Sequence, residues 1–188
     1  MNKKTKIVFT REEMLEMNIK TLKKRGVTVE DIATITFNQQ GKYTKNIEFS
    51  TCIESVEKLL SFRDVFHYVQ LAVALDVLAE EKKLPYPLQD IIYHDLGLFG
   101  VDEVMGLDVA GTYGTIGQTN FGDIDVNKPG IVKILNDQCK EDGTCHTFLD
   151  DIVGAIAAAA STRVAQVMNE TEAHKKDYEL ISLFEEEE

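Results

Sequence analysis

The chain has no long apolar run. Its best apolar uncharged stretches, residues 65–75 and 152–162, fall well short of the roughly 20 apolar residues that a membrane-spanning helix needs. No secretory leader is expected either: Lys3, Lys4 and Lys6 are followed only by Ile7-Val8-Phe9 before charge returns at Arg11. The expectation is a cytoplasmic protein that touches a membrane, if at all, peripherally at its inner face. Cysteine is scarce, and Cys52, Cys139 and Cys145 form neither a CxxC pair nor an even framework. That pattern fits a reducing compartment. Positive charge is in short supply, with 20 Lys and Arg against 32 Asp and Glu and a net charge of −12. General nucleic-acid binding, which needs a basic surface, is excluded on that ground.

Several catalytic signatures are also missing. His67, His94, His146 and His174 show no HExxH or i,i+4 pairing, and there is no serine-nucleophile elbow. Residues 109–122 hold four glycines but lack the Gly-Lys-Ser/Thr ending of a phosphate-binding P-loop. No internal repeat stands out, and strand-like alternation is confined to residues 34–37.

What is present reads as helix. Thr10 with Glu13, Thr51 with Glu54, and Thr147 with Asp150 have the spacing of capping boxes. Thr28 opens a second helix that fades near Gly41, and the apolar stretch 65–78 reads as a long one. Pro87 and Pro129 suit first turns. Residues 109–122 read as a helix end running into a loop, with Asp123 and Asp125 in that loop. A helix opening at Thr147 and running to about Met168 carries small residues four apart (Gly154 and Ala158, Ala155 and Ala159). Small residues let helix backbones approach closely, so this is expected to be a buried central helix. The stripe favours packing within one chain over a dimer face, and homo-oligomerisation stays open. The fold class is all-α: one compact helical domain over residues 10–170. A basic segment precedes it at 1–9 and an acidic tail follows at 171–188. Charge is uneven: residues 1–25 carry a net +5, from eight Lys or Arg and three Glu, leaving −17 for the rest.

Two acidic motifs stand out against this background: Val101-Asp102-Glu103-Val104-Met105-Gly106 and Phe148-Leu149-Asp150-Asp151-Ile152-Val153-Gly154-Ala155. Carboxylates inside apolar segments are rarely buried unless they are paired or bind a metal. Two such pairs with Lys128-Pro129 between them read as a site for a divalent cation and a phosphate, because hard cations take oxygen ligands and a lysine binds phosphate as a point charge. Each has a plainer reading. Asp102, Glu103 and Asp150 are favoured in any first helical turn. Asp95 suits a turn, and Asp125 and Lys128 suit a polar loop. Asp76, an acid in an apolar helix, is an outlying ligand, a partner for a basic side chain, or a rim residue.

The order and spacing of these pieces resemble the phosphatidylglycerophosphatase A family. The match is carried by Asp95 seven residues before Asp102-Glu103-x-x-Gly106, then Asp125-x-x-Lys128-Pro129, then Asp150-Asp151-Ile152-x-Gly154-Ala155, over roughly residues 90–165. The chain is most similar to the soluble, low temperature requirement C-like branch of that family in Gram-positive bacteria. The resemblance implies an all-α fold around a central helix and a Mg2+-dependent phosphomonoesterase. Its substrate would be phosphatidylglycerophosphate or a related phosphomonoester. It implies Asp102, Glu103, Asp150 and Asp151 as catalytic metal ligands, Asp95 and Asp125 completing the shell, and Lys128 as the substrate-binding residue. The alternative is a non-catalytic helical regulator that keeps the acidic site for a metal or ligand. The chain departs from membrane members of the family in lacking their N-terminal Pro-Gly-Thr-x-Gly-Ser motif. Gly114-Thr115-Ile116-Gly117 follows Asp102-Glu103 rather than preceding it, and is not an equivalent.

Overall fold

The structure, a computed structural model, describes residues 7–141 and 143–175, with side chains throughout except at 139–141 and 173–175. Most of the basic segment 1–9, the acidic tail beyond 175 and the His174 side chain lie outside the described residues. Nine α-helices account for nearly all of what is described: α1 (Arg11–Lys24), α2 (Val29–Gly41), α3 (Phe49–Leu60), α4 (Arg63–Glu80), α5 (Leu88–Tyr93), α6 (Val101–Ala110), α7 (Thr115–Asn127), α8 (Ile131–Glu141) and α9 (Leu149–Lys175). A single 3-10 turn, Gly111–Tyr113, joins α6 to α7, and no strand occurs among the described residues. The all-α class holds.

Local chemistry starts the first two helices. Thr10 Oγ1 accepts the N–H of Glu13, while Glu13 Oε2 accepts the N–H of Thr10 at 2.9 Å. Thr28 and Asp31 repeat the arrangement at α2. Each box satisfies two of the donors that a helix start leaves open. Packing decides the rest. Helix α9 runs through the middle, against α2, α3, α4, α6, α7 and α8, while α1 and α5 lie on α4. From Ile152 to Ser161 it is buried on all sides, as expected of a helix that is apolar all round. Its small residues make that possible: a methyl on Gly154 would come within 3.2 Å of Ile124 on α7.

The structure corrects several local expectations. Residues 34–37 are helical, within α2, where the Thr36 hydroxyl donates to the Ile32 carbonyl and Ile35 enters the core. The glycine-rich stretch is mostly helix: only Gly111–Gly114 interrupts it, and Asp123 and Asp125 stand on the last turns of α7. Thr51 lies inside α3, whose N-cap is Glu48, so it forms no box with Glu54. The last helix starts at Leu149 and continues past Met168 to Lys175.

Candidate metal centre

Helix α6 begins at a left-handed turn, Gly100 with φ 66°, a conformation that glycine adopts without strain. That turn aims the start of α6 at the first turn of α9. Asp102 is buried there and Glu103 is exposed. On α9, Asp150 and Asp151 are both buried, 6% and 5% exposed. One carboxylate oxygen each from Asp102, Glu103 and Asp151 lie within 4.8 Å of one another. Two oxygens on one ion are separated by at most twice the metal–oxygen distance, about 4–5 Å for Mg2+ or Ca2+. The span is therefore one that a single hard cation bridges. The donors are all carboxylate oxygen, which suits Mg2+, Mn2+ or Ca2+ rather than a thiolate-seeking metal.

Asp150 is not in this set and pairs with Lys128. The Lys128 ammonium lies 2.7 Å from Asp125, 3.0 Å from Asp150 and 3.5 Å from Asp151. Lys128 caps the C-terminus of α7 in the left-handed region, φ 41°. Asp125 reaches the cluster through this lysine. Asp95 is exposed at φ 46° and lies outside the three-oxygen set, although its charge acts on Asp150.

The electrostatics follow from burial. Burial pushes the Asp102 carboxyl up to about 8, helped by Glu103. It pushes Asp151 up to about 9, with Asp150 adding to the rise and Lys128 opposing it. Asp150 is also raised by burial, to about 6, and is held back by Lys128. Burial alone would lower the pKa of Lys128, but Asp150, Asp125 and Asp151 outweigh it and hold the ammonium above the usual lysine range. Asp125, Asp150 and Asp151 thus share one ammonium, and Asp102 has none. Protons or a cation would supply the positive charge that the buried carboxylates lack.

The remaining acids have other partners. Asp123 pairs with Lys42 at 2.5 Å. Asp76, fully buried on α4, accepts the N–H groups of Phe148 and Leu149, each at 3.1 Å. The expected cap at Thr147 does not form: the Asp150 N–H goes to the His146 carbonyl, and the Thr147 hydroxyl donates to the Ile92 carbonyl at 2.7 Å. His67 and His94 are exposed, and His146 is buried beside Arg25. Sequence reasoning missed the Arg25–Glu80 ion pair, which holds the approach to α9: Arg25 donates to the Cys145 carbonyl, and Glu80 accepts the Cys145 N–H. The only available signal was that Asp76 interrupts an apolar run. Nothing in the sequence tied it to residues more than 70 positions away.

The chain is 46% identical over 169 residues to YpjQ of Bacillus subtilis strain 168, covering 90% of this chain and 94% of that protein. It is 48% identical over 164 residues to YutG of the same organism, covering 86% and 98%. Among solved structures, a protein from Bacillus stearothermophilus matches with TM-score 0.78 at 48% identity, covering 82% of this chain and 99% of that one. The low temperature requirement C protein from Listeria monocytogenes matches with TM-score 0.79 at 44% identity, covering 83% and 97%. Residues 28–166, which include both acidic pairs and Lys128, match phosphatidylglycerophosphatase A, and the chain belongs to that family.

Proposed function

We propose that this chain is a divalent-cation-dependent phosphomonoesterase whose substrate is a lipid phosphomonoester of the phosphatidylglycerophosphate class. The observation that carries the reading is the meeting of Asp102 and Glu103 from α6 with Asp151 from α9, beside Lys128. The donor set fits a hard cation by its chemistry and span, and Asp102, Glu103 and Asp151 would hold it. Such a cation, when bound, supplies charge neutralisation and Lewis-acid polarisation for phosphoryl transfer to water.

The chain's own residues do the rest. Asp150 and Asp125 hold the Lys128 ammonium at the edge of the three-oxygen set. An ammonium has three donors, and all are shared among carboxylates here. An incoming phosphate therefore replaces at least one carboxylate contact, and Lys128 then stabilises the charge on its oxygens. Among the described residues, no helix is long and apolar enough to cross a membrane, so a bilayer lipid would be met at the surface. Leu96, Leu98, Val101 and Val104 are exposed on the loop and helix that carry Asp95, Asp102 and Glu103. An apolar rim of this kind suits a substrate presented by a bilayer.

The test is release of inorganic phosphate from phosphatidylglycerophosphate in mixed micelles, with Mg2+ or with a chelator. Mg2+-dependent release that Asp151→Asn reduces by at least 100-fold supports the reading. Metal binding without release from this or any soluble phosphomonoester would instead make the chain a non-catalytic, metal-binding regulator.

A further inference from the structure

The placement of Asp151 depends on how α9 begins, and its first amides are not capped by the neighbouring threonine. Asp76 of α4 takes that role from across the fold, with one oxygen on the Phe148 N–H and the other on the Leu149 N–H. One turn further along α4, Glu80 accepts the N–H of Cys145 at 2.8 Å and binds Arg25, which follows α1. Arg25 in turn donates to the Cys145 carbonyl at 2.8 Å. Thr147 is tied to the Ile92 carbonyl on α5. Three separate elements thus grip residues 145–149, immediately before Asp150 and Asp151. A cap from within the same segment would stabilise the helix start and add nothing to what packing already imposes on its rotation and height relative to the other helices. A cap from α4 fixes both.

We propose that Asp76 is a positioning residue for the metal centre: by tying the first turn of α9 to α4, it sets the angle at which Asp151 meets Asp102 and Glu103. This rests on the metal-centre reading above. Ligand sets work only within about 0.5 Å of the productive geometry, and loss of the groups that orient a ligand typically costs 10- to 100-fold in metal affinity. Asp76 acts through backbone amides rather than through a ligand side chain, but the demand on geometry is the same.

The experiment titrates Mn2+ calorimetrically into the full chain, Asp76→Asn and Thr10→Ala, with the melting temperature of each measured in chelator. Asp76→Asn keeps the side-chain volume and loses one of the two acceptors. Thr10→Ala removes the cap of α1 and serves as a destabilised control. The expected result is about 10-fold or greater loss of Mn2+ affinity in Asp76→Asn at a temperature where it is fully folded. Thr10→Ala should melt earlier and bind Mn2+ as the unaltered chain does. A folded Asp76→Asn with unaltered affinity overturns the proposal and leaves Asp76 as a stabiliser only. If Asp76→Asn does not fold, Asp76→Glu decides. It keeps both acceptors and the charge but is one methylene longer, so the first turn of α9 has to shift; a several-fold loss of affinity supports the proposal and none overturns it. Failure of the unaltered chain to bind Mn2+ would overturn the metal reading itself, which separates the two failures.

Discussion

Asp151 and Lys128 carry opposite burdens, and substitution should reveal it. Burial and Asp150 make ionised Asp151 costly in the absence of a cation. A residue kept for stability alone would lower the melting temperature when replaced by its neutral isostere. Above pH 9, where Asp151 is ionised, Asp151→Asn should instead melt at or above the unaltered chain in chelator, because the repulsion from Asp150 has gone. In Mn2+ at 100 times its Kd, the unaltered chain should gain about 2.7 kcal/mol, and Asp151→Asn should lose most of that gain. An equal metal-induced rise in both would remove Asp151 from the ligand set. Lys128→Met should behave in the reverse way. It leaves Asp150, 6% exposed, without its ammonium. Removing one member of a buried ion pair costs several kcal/mol, and the partial exposure of this lysine reduces that to about 1–3 kcal/mol. Added Mn2+ should restore part of the loss, and thermal melting with and without the metal checks it.

At the level of elements, glycines in one helix should respond in opposite directions. A methyl on Gly117 would lie only 2.1 Å from the Ala110 carbonyl oxygen, where α7 turns back on α6, whereas a methyl on Gly122 meets nothing within 4 Å. Gly117→Ala should therefore cost about 1–3 kcal/mol or more through overpacking. Gly122→Ala should stabilise α7 by roughly 0.5–1 kcal/mol through helix propensity. Urea denaturation of the two variants checks both signs. These glycines also show why 109–122 misled as sequence. Four glycines in fourteen residues resemble a loop, yet Gly117 is needed for a close backbone approach and only Gly114, with φ 81°, breaks the helix. The capping boxes at Thr10 and the start at Thr28 were legible because their partners lie three residues away. Thr51 and Thr147 had the same spacing, but helix starts at Phe49 and Leu149 are set by packing and by Asp76, which local spacing cannot reveal. The acidic pairs were legible because carboxylates amid apolar residues are unusual. That Asp150 and Asp151 would both meet Lys128 while Asp151 also met Asp102 depended on how α6 and α7 pack against α9, which no single segment encodes.

For the whole molecule, acidity and surface apolarity both bear on function. Asp151 at about 9 and Asp102 at about 8 lie far above the ordinary carboxylate value of 3.8. Between that value and 8–9, the folded chain holds more protons than the unfolded one. Their contribution to stability is thus present in acid and is lost as pH rises through 8–9. In chelator the melting temperature should fall from pH 6 to pH 9. A cation needs the ionised carboxylates, so the Mg2+-induced rise should be larger at pH 8.5 than at pH 6. A rise independent of pH would mean that the cation binds elsewhere. If the proposed lipid substrate is met at a bilayer, a chain of net charge −12 has to approach an anionic surface. Long-range attraction is unfavourable over most of such a surface, so apolar contact has to contribute. Leu98 is held fully exposed at φ 73°, between Asp95 and Asp102 in the chain. Burying one leucine side chain in lipid is worth about 1.5–3 kcal/mol, and a charge in its place removes that gain. Leu98→Asp should therefore reduce phosphate release from phosphatidylglycerophosphate in vesicles by about 10-fold or more. Release from a short-chain, water-soluble analogue should stay within about 2-fold, because the Leu98 side chain is fully exposed and is not part of the proposed three-carboxylate site. Parallel assays on vesicles and soluble analogue decide the matter. Equal losses on both substrates would assign Leu98 to the catalytic centre, and no loss on either would remove the apolar rim from the route to the lipid.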